Sequence, residues 1–210
     1  MKLKDCLLFS NTNVDLSNVI IQSYPNDHTF ALEADISNYL GIVLEGEITV
    51  KSYSLGGNNF TLNTIETGKF FGDVLMFSDI TNSFPGSLIT KGKTKIALIP
   101  NDSFQKLLFN DNVLLRNFLR LLSNNTYRLS YKSKLLSQDS VRDKILFFLF
   151  QERIAQKTNI IKLNMTKEEL ANILFIQRPS LSRELSKMKK DGLIDYDRYT
   201  ITIYPIKCIY

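Results

Sequence analysis

Apolar and β-branched residues alternate with polar ones over residues 19–100, and glycines break this alternation about every ten residues. The strand segments and the turns between them are "YLGIVLEGEITVKSYSL" (39–55, interrupted at Gly46), "GGNN" (56–59), "FTLNTI" (60–65), "ETGKFFGD" (66–73) and "KTKIALIP" (93–100). Short strands separated by glycine turns predict an antiparallel jelly-roll β-barrel at the N-terminus, and no helix of useful length fits before Pro100.

Beyond Pro100 the apolar residues recur every three or four positions, which predicts helices. "NDSFQKLLF" predicts a short helix capped by Asn101 or Asp102, and the stretch from Asp111 to Leu136, which has no Gly or Pro, predicts a long one. The positions at heptad spacing on the long helix are Leu115, Phe118, Leu122, Asn125, Leu129, Lys132 and Leu136. This stripe could pack on the β-domain or pair with a second copy, and its polar interruptions favour a two-helix dimer.

The segment "SQDSVRDKILFFLFQERIAQ" predicts another helix, capped by Asp139 or Ser140, and "TNIIKLN" predicts a short strand. The positions expected on the buried face of that helix are Val141, Ile145, Phe148 and Leu149. We therefore expect an α+β chain with an N-terminal β-roll (1–110), a long dimerisation helix (111–137) and a C-terminal domain (138–210), with a hinge near residues 137–140.

Two short helices follow almost back to back in "MTKEELANILFIQRPSLSRELSKMKKDGLI". Thr166 and Glu169 form a capping-box pattern, and "FIQ" predicts a tight turn. Pro179 suits the first turn of the second helix, and Gly192 suits its C-terminal end. The alternation in "LIDYDRYTITI", with a turn near Asp197, predicts a β-hairpin wing, so the whole motif reads as a winged helix-turn-helix.

The spacing of residues along the second helix predicts a buried face formed by Leu181, Leu185 and Met188. The opposite face is predicted to be cationic and hydroxylic. Residues 138–210 carry 13 Lys/Arg and 9 Asp/Glu, which is most of the net charge of +5. In helix-turn-helix proteins the start of the second helix meets base edges in the major groove, while Lys and Ser hold phosphates. The predicted DNA-binding residues are Thr166, Gln177, Arg178, Ser180, Ser182, Arg183, Lys187 and Arg198.

The amino-acid composition argues against several other classes of protein. Only two cysteines are present, Cys6 and Cys208, so a four-cysteine iron–sulfur cluster, a zinc site rich in cysteine and a disulfide framework are not expected. The single histidine, His28, cannot supply the several ligands of a metal-dependent cupin. No apolar run has the length of a membrane span, and we expect a cytoplasmic protein with no metal and no cofactor.

A glycine-rich β-roll, a long helix and a winged helix-turn-helix in this order resemble the Crp/Fnr family of bacterial transcription regulators. The resemblance rests on "VLEGEITV", "TGKFFGDVLMF" and "TKEELANILFIQRPSLSRELSKMKKDGLI". It implies a homodimer that binds a two-fold symmetric DNA site, and RNA polymerase as a partner if the protein is an activator. It also matches Arg178 and Arg183 to the two arginines of the family's recognition helix. Pro179 replaces the acidic residue that usually follows the first arginine, so the target sequence should differ from the family's usual half-site.

The same resemblance argues against cyclic AMP as the effector. Nucleotide binders of the family have a Gly-Glu pair followed by an arginine that neutralises the phosphate. Here the pair is Gly72 and Asp73, Phe84 occupies the arginine position, and no Lys or Arg lies between Lys69 and Lys91. A neutral or apolar effector is expected instead. The pocket residues implied by the resemblance are Phe71, Gly72, Asp73, Val74, Leu75, Phe84, Pro85, Gly86, Ser87, Asn125 and Thr126.

Two alternatives stay open at this point. The β-roll could be a vestigial dimerisation scaffold in a constitutive DNA-binding regulator, and the residues offer little against this. The chain could instead be a small-molecule enzyme of the cupin type, but the sequence shows neither the metal ligands nor a nucleophile–base pair that such chemistry needs.

Overall fold

The computed structural model describes residues 1–53 and 60–204, and of residue 59 only the backbone. The chain divides into two compact units, Met1–Ser123 and Asn124–Tyr210, and the division falls inside the long helix. Most of the predicted "GGNN" turn and Cys208 lie outside the described residues. No helix in the described ranges combines the length and apolar character that crossing a membrane requires.

The first unit is built on one antiparallel sheet of six strands, ordered β1-β6-β3-β4, with β2 pairing with β6 and β5 with β3. Its strands are β1 (Ile20–Tyr24), β2 (Thr29–Ala31), β3 (Tyr39–Tyr53), β4 (Asn59–Glu66), β5 (Phe70–Phe71) and β6 (Ser87–Pro100). Its helices are α1 (Asp73–Met76), α2 (Asn101–Asn110) and the start of α3 (Asn112–Leu136), after two short 3-10 turns at Leu3–Asp5 and Leu7–Phe9. The expected β-rich N-terminal domain is confirmed, but among the described residues the sheet does not close into a barrel.

Strand β3 runs for 15 residues and is not interrupted at Gly46. The register with β6 instead shifts on either side of Glu45, so the strand bulges there. Gly46 has a φ of +79°, and a Cβ at this position would lie 2.6 Å from the Lys93 carbonyl oxygen. Glycine therefore bends the strand without ending it.

The sheet separates two apolar clusters because alternate residues of β3 and β6 point to opposite faces. One face packs against α2, α3 and the N-terminal turns, and its largest buried residues include Leu8, Leu40, Ile42, Phe104, Leu114 and Phe118. The other face forms the interior of the roll, with Val43, Ile48, Ile65, Phe71, Leu88 and Ile96. Cys6 is buried in the first cluster, and this burial raises the pKa of its thiol, as expected of an unreactive cysteine.

The predicted cap of α2 is wrong. The N-cap residue is Pro100, whose side chain cannot accept a hydrogen bond, and Asn101 is the first helical residue. The Asn101 side-chain amide instead donates to the Ser37 carbonyl oxygen at 2.8 Å. The next helix has a cap that was not predicted, because the Asp111 carboxylate accepts from the backbone N–H groups of Val113 and Leu114 at 2.8 and 2.9 Å.

The second unit contains the end of α3, then α4 (Val141–Gln156), β7 (Ile160–Lys162), α5 (Lys167–Ile173), α6 (Arg178–Lys190), β8 (Ile194–Tyr196) and β9 (Thr200–Ile203). The three strands form an antiparallel sheet in the order β7-β9-β8. Ser140 caps α4 as one of the two predicted candidates, accepting from Asp143 N–H at 3.1 Å. Of the predicted buried face of α4, Ile145, Phe148 and Leu149 are in the core and Val141 is half-buried against it. The predicted winged helix-turn-helix is therefore present.

Candidate DNA-binding interface and effector cavity

Helix α5 begins with the predicted capping box. The Thr166 hydroxyl accepts from Glu169 N–H at 3.2 Å, and the Glu169 carboxylate accepts from Thr166 N–H at 2.6 Å. The bond from Thr166 N–H, together with one that the Thr166 hydroxyl donates to the same carboxylate at 2.9 Å, lowers the pKa of the Glu169 carboxyl, because both stabilise its ionised form. Thr166 itself is exposed, as its predicted contact with DNA requires.

The turn between α5 and α6 depends on Phe175, a non-glycine residue with a φ of +53°. Two backbone bonds hold this conformation, from Phe175 N–H to the Asn172 carbonyl and from Ile176 N–H to the Ala171 carbonyl, at 3.1 and 3.0 Å. The Phe175 ring is about half exposed, and the Lys132 ammonium lies 5.0 Å from its centroid. The turn ends at Gln177, which is the N-cap residue of α6 and makes no side-chain capping bond.

Helix α6 has the predicted two faces. Leu181, Leu185 and Met188 are at most 1% exposed and form part of the core. Among the predicted readers, Arg178, Arg183 and Lys187 are exposed and Ser180 and Ser182 are half-buried. The Arg183 guanidinium approaches the Ser180 hydroxyl at 3.5 Å, so these two groups lie together at the start of the helix. The DNA contacts themselves stay a prediction.

Two carboxylates of the α6 segment, Glu184 and Asp191, are paired with an arginine that lies outside this cationic face. Arg142, from the first turn of α4, donates to Glu184 at 2.6 Å and to Asp191 at 2.7 Å. Within the described residues, neither Arg183 nor Lys187 has a carboxylate oxygen within salt-bridge distance. The Arg178 Nε lies 3.7 Å from a Glu168 carboxylate oxygen, and because both side chains are exposed this ion pair is weak.

The wing carries Arg198 at its exposed tip, as predicted. The Asp197 carboxylate accepts from the N–H groups of Tyr199 and Thr200, both at 2.7 Å, which fixes the turn. The Arg198 guanidinium lies 5.4 Å from the Tyr199 ring centroid. Sequence reasoning missed Tyr196, which joins the wing to α6 through a 3.2 Å contact between its hydroxyl and that of Ser186. Nothing in the local pattern of the hairpin distinguishes this tyrosine.

In the first unit, Phe71 and Phe84 of the predicted effector set line a cavity of about 640 Å³ that is open to solvent on one side of the roll. Its lining residues are Ile20, Gln22, Tyr24, Phe30, Ala31, Ala34, Asp35, Ile36, Asn38, Tyr39, Phe71, Phe84 and Leu98, with no Lys or Arg among them. Tyr24, Phe30, Phe71 and Phe84 follow one another with ring centroids 5.4, 5.7 and 6.4 Å apart. The row of aromatic rings in a lining that contains no Lys or Arg favours apolar groups over a phosphate.

One wall of this cavity is set by Gly41 on β3. The Phe71 ring lies directly over Gly41, and a Cβ at position 41 would overlap the ring. Phe71 is only 6% exposed, and its position on β5 opposite Gly41 is fixed by the strand pairing. The close approach of the ring therefore requires glycine at this position.

The other predicted pocket residues do not line the cavity. Gly72 is the N-cap of α1 with a φ of +81°, Asp73 is buried in that helix, Val74 is 66% exposed and Leu75 is half-buried. Pro85 is exposed, Gly86 and Ser87 are buried, and the Ser87 hydroxyl accepts from Glu33 N–H at 3.0 Å. Asn125 and Thr126 are exposed on α3, in the second unit. The residues of β1, β2 and 34–39 that line the cavity were not predicted, since no motif marks them.

The buried Asp73 carboxyl should make the stability of the folded protein depend on pH. Burial raises the pKa of its carboxyl, although backbone hydrogen bonds at Asp73 and Val74 act in the opposite direction. The folded protein therefore binds this proton more tightly than the unfolded chain, and the free energy of unfolding falls as pH rises through the folded pKa. Asp73→Asn should raise the melting temperature at neutral pH, and the gain should shrink as pH falls towards the unfolded value. Thermal melts of both proteins from pH 4 to 8 test this, and a gain that does not depend on pH would contradict it.

The predicted dimer positions divide along α3. Phe118 is 2% exposed inside the first unit, and Leu115 and Leu122 are half-buried against the same cluster. Leu129 and Leu136 are 68% and 49% exposed, and Asn125 is exposed. The half of the stripe that belongs to the first unit is thus largely occupied by packing within it. The Phe118 side chain packs inside its own chain, so it is not available to contact a second copy in the predicted dimer seam.

In the described part of the chain, no group of three or more His, Cys, Asp or Glu side chains is arranged to hold a metal ion. His28 stacks on Tyr24, with ring centroids 5.2 Å apart. This contact gives the single histidine a packing role at the edge of the roll.

Two family models match the chain in the order of its domains. The cyclic nucleotide-binding domain matches residues 21–111, and the Crp-like helix-turn-helix domain matches residues 143–205. The two matches together span well over half of the chain.

Individual relatives agree with this order. The cyclic AMP receptor protein of Thermus thermophilus is 19% identical over 180 residues, which is 86% of this chain and 82% of that protein. The crystal structure of the Thermus thermophilus catabolite activator protein aligns with a TM-score of 0.51 at 19% identity, covering 95% of this chain and 88% of the other. A transcriptional regulator from Thermotoga maritima aligns with a TM-score of 0.55 at 23% identity, covering 66% of this chain and all of the other. With a β-rich domain that matches the cyclic nucleotide-binding model and a winged helix-turn-helix after it, the chain belongs to the Crp/Fnr family of DNA-binding transcription regulators.

Proposed function

We propose that this regulator acts as a homodimer whose two α6 helices enter successive major grooves of a two-fold symmetric DNA site. The observation that carries the proposal is the exposed cationic and hydroxylic face of α6, with the nearby carboxylates paired to Arg142. A positive face attracts phosphates, and its arginines can read guanine. A regulator of this kind works in the cytoplasm, and as an activator it would also contact RNA polymerase.

The predicted residues take different roles on the duplex. Arg178 and Arg183 are suited to bidentate contacts with guanine N7 and O6, and Ser180 and Ser182 to base edges or phosphates. The remaining predicted contacts, which position the domain through the phosphate backbone, are Thr166, Gln177, Lys187 and Arg198. Pro179 offers no carboxylate to a cytosine N4 group, so the half-site should lack that contact.

The dimer would use the exposed part of the α3 stripe, with Asn125, Leu129 and Leu136 meeting their counterparts in a second copy. Leu129→Glu should convert the dimer to a monomer at micromolar concentrations, because a carboxylate at an a or d position must be desolvated without a partner. Tyr127→Glu is the matched control, since Tyr127 is 66% exposed but lies on another face of the helix. Sedimentation velocity measures both. If Leu129→Glu stays dimeric, the seam is elsewhere.

The roll cavity would hold a neutral or apolar effector that favours one orientation of the DNA-binding domains over another. The support is its aromatic lining without Lys or Arg, which leaves an anionic phosphate uncompensated. A ligand changes DNA affinity only by the ratio of its affinities for the two orientations. A cavity without any ligand would instead correspond to a constitutive regulator.

The test of the proposed function is selection of bound sequences from random duplex DNA by the full-length protein with no ligand added. A palindromic consensus supports a ligand-independent dimeric reader. Salt-sensitive binding without enrichment supports a reader that awaits its effector, and screening apolar compounds for an increase in melting temperature then follows. The proposal fails if no consensus emerges with or without ligand and neither Arg178→Ala nor Arg183→Ala alters DNA binding.

A further inference from the structure

Arg142 is the one arginine of the second unit that pairs with two carboxylates among the described residues. It stands in the first turn of α4, with its Nε donating to Glu184 and its Nη2 donating to Asp191. The side chains of Arg142 and Glu184 are 35% and 16% exposed, so their pair is sheltered, while Asp191 is 48% exposed. Both acceptors belong to the recognition element, Glu184 in the middle of α6 and Asp191 as its C-cap residue.

Two attachment points on one helix restrict both its rotation and its tilt. The planar guanidinium presents its donors in fixed directions, so each carboxylate must take a defined place relative to α4. Leu181, Leu185 and Met188 hold α6 on its apolar side, and Arg142 adds a polar attachment at the edge of that side. The angle at which α6 presents Arg183 thus depends in part on Arg142.

The same pairing decides what Lys187 is available to bind. Lys187 lies three residues after Glu184 and four residues before Asp191, and both spacings allow ion pairs on a helix surface. In the structure both carboxylates are taken by Arg142, and Lys187 remains exposed without a salt bridge among the described residues. Without Arg142, either carboxylate could pair with Lys187 and neutralise it.

We infer that Arg142 is a positioning residue for DNA recognition, which orients α6 and keeps Glu184 and Asp191 from capturing Lys187. The inference rests on the proposed function, because it assigns Lys187 to a phosphate. Arg142 acts through other residues and touches no DNA itself.

The experiment compares Arg142→Met with Arg153→Met, which removes an exposed arginine from the same helix and changes the net charge equally. Fluorescence anisotropy with the selected site and with random-sequence duplex is measured from 50 to 300 mM salt. Arg142→Met should weaken specific binding about tenfold, the equivalent of one charge-assisted hydrogen bond. On both duplexes it should reduce the slope of log affinity against log salt by about one, as expected for one lost phosphate contact. Arg153→Met should leave both quantities close to wild type.

A rescue variant separates this role from a general loss of structure. Arg142→Met combined with Glu184→Gln and Asp191→Asn removes the competing charges, so the wild-type salt slope should return even if the melting temperature stays low. The inference is overturned if Arg142→Met keeps the wild-type slope, or if the slope falls and the triple variant does not restore it. If the wild-type protein selects no sequence and Arg183→Ala has no effect, the proposed function fails, whereas a wild-type slope in Arg142→Met alone contradicts only this inference.

Discussion

Replacing Phe118 with alanine is expected to lower the free energy of unfolding by about 3–5 kcal/mol, the range for a large aromatic residue removed from a packed core. Phe118 is 2% exposed, and its ring packs against Phe104, Phe77 and Phe70 with centroids 5.4, 6.1 and 6.4 Å away. Phe104 and Leu114 of the same apolar cluster are themselves fully buried, so the Phe118 ring lies in the packed interior of the first unit. Urea unfolding followed by circular dichroism measures the difference.

The neighbouring residue Leu119 provides the control, since it is on the same helix but 53% exposed. Leu119→Ala should change stability by well under 1 kcal/mol, as roughly expected of a surface position. The measurement also decides between two roles for Phe118. If Phe118→Ala keeps its stability and loses only dimerisation, Phe118 belongs to the seam that the heptad spacing predicted.

Replacing Arg183 with alanine is expected to weaken binding to the selected DNA site by about 1–3 kcal/mol, the value of a bidentate contact to one guanine. Arg183 lies in the first half of α6, exposed beside the Ser180 hydroxyl. No carboxylate oxygen among the described residues lies within salt-bridge distance of its guanidinium. The loss should be concentrated at one base pair of each half-site. Competition titrations with single-base variants of the site would identify that base pair.

Arg153→Ala removes the same charge from α4 and should reduce affinity only slightly and equally for all sequences. Arg178→Ala should behave like Arg183→Ala but affect a different base pair. If both substitutions on α6 lower affinity uniformly for specific and random DNA, the two arginines hold phosphates and do not read bases. If neither has any effect, α6 is not the recognition helix.

Local chemistry was enough to predict much of the second unit. The capping box at Thr166 and Glu169, the apolar face of α6 and the wing turn at Asp197 all depend on neighbours within a few residues. The long helix was also predicted within a residue of its ends, because no Gly or Pro interrupts it. The predicted cap of α2 failed because the Asn101 side-chain amide donates a hydrogen bond to the Ser37 carbonyl oxygen, 64 residues away in sequence.

The parts of the site that sequence reasoning missed depend on distant pairs. Arg142 meets its two carboxylates across 42 and 49 residues, and no helical or strand spacing connects them. The open sheet and the cavity within it are similar cases, since they depend on how β1 and β2 pair with β6. Family resemblance placed the effector beside α1, whereas the cavity is lined largely by residues from β1 and 34–39, and only Phe71 and Phe84 are common to both sets.

Gly41 has a consequence for how the shape of the roll cavity could change over evolution. A methyl group at this position would displace the Phe71 ring, because a Cβ there would lie 2.0 Å from the ring's Cζ atom. The ring forms a wall of the cavity, so displacing it would change the space that the cavity offers. Position 41 itself does not line the cavity. Selectivity for ligand size could thus be altered by a substitution on the far side of the aromatic wall, while every residue that a ligand would touch stays the same.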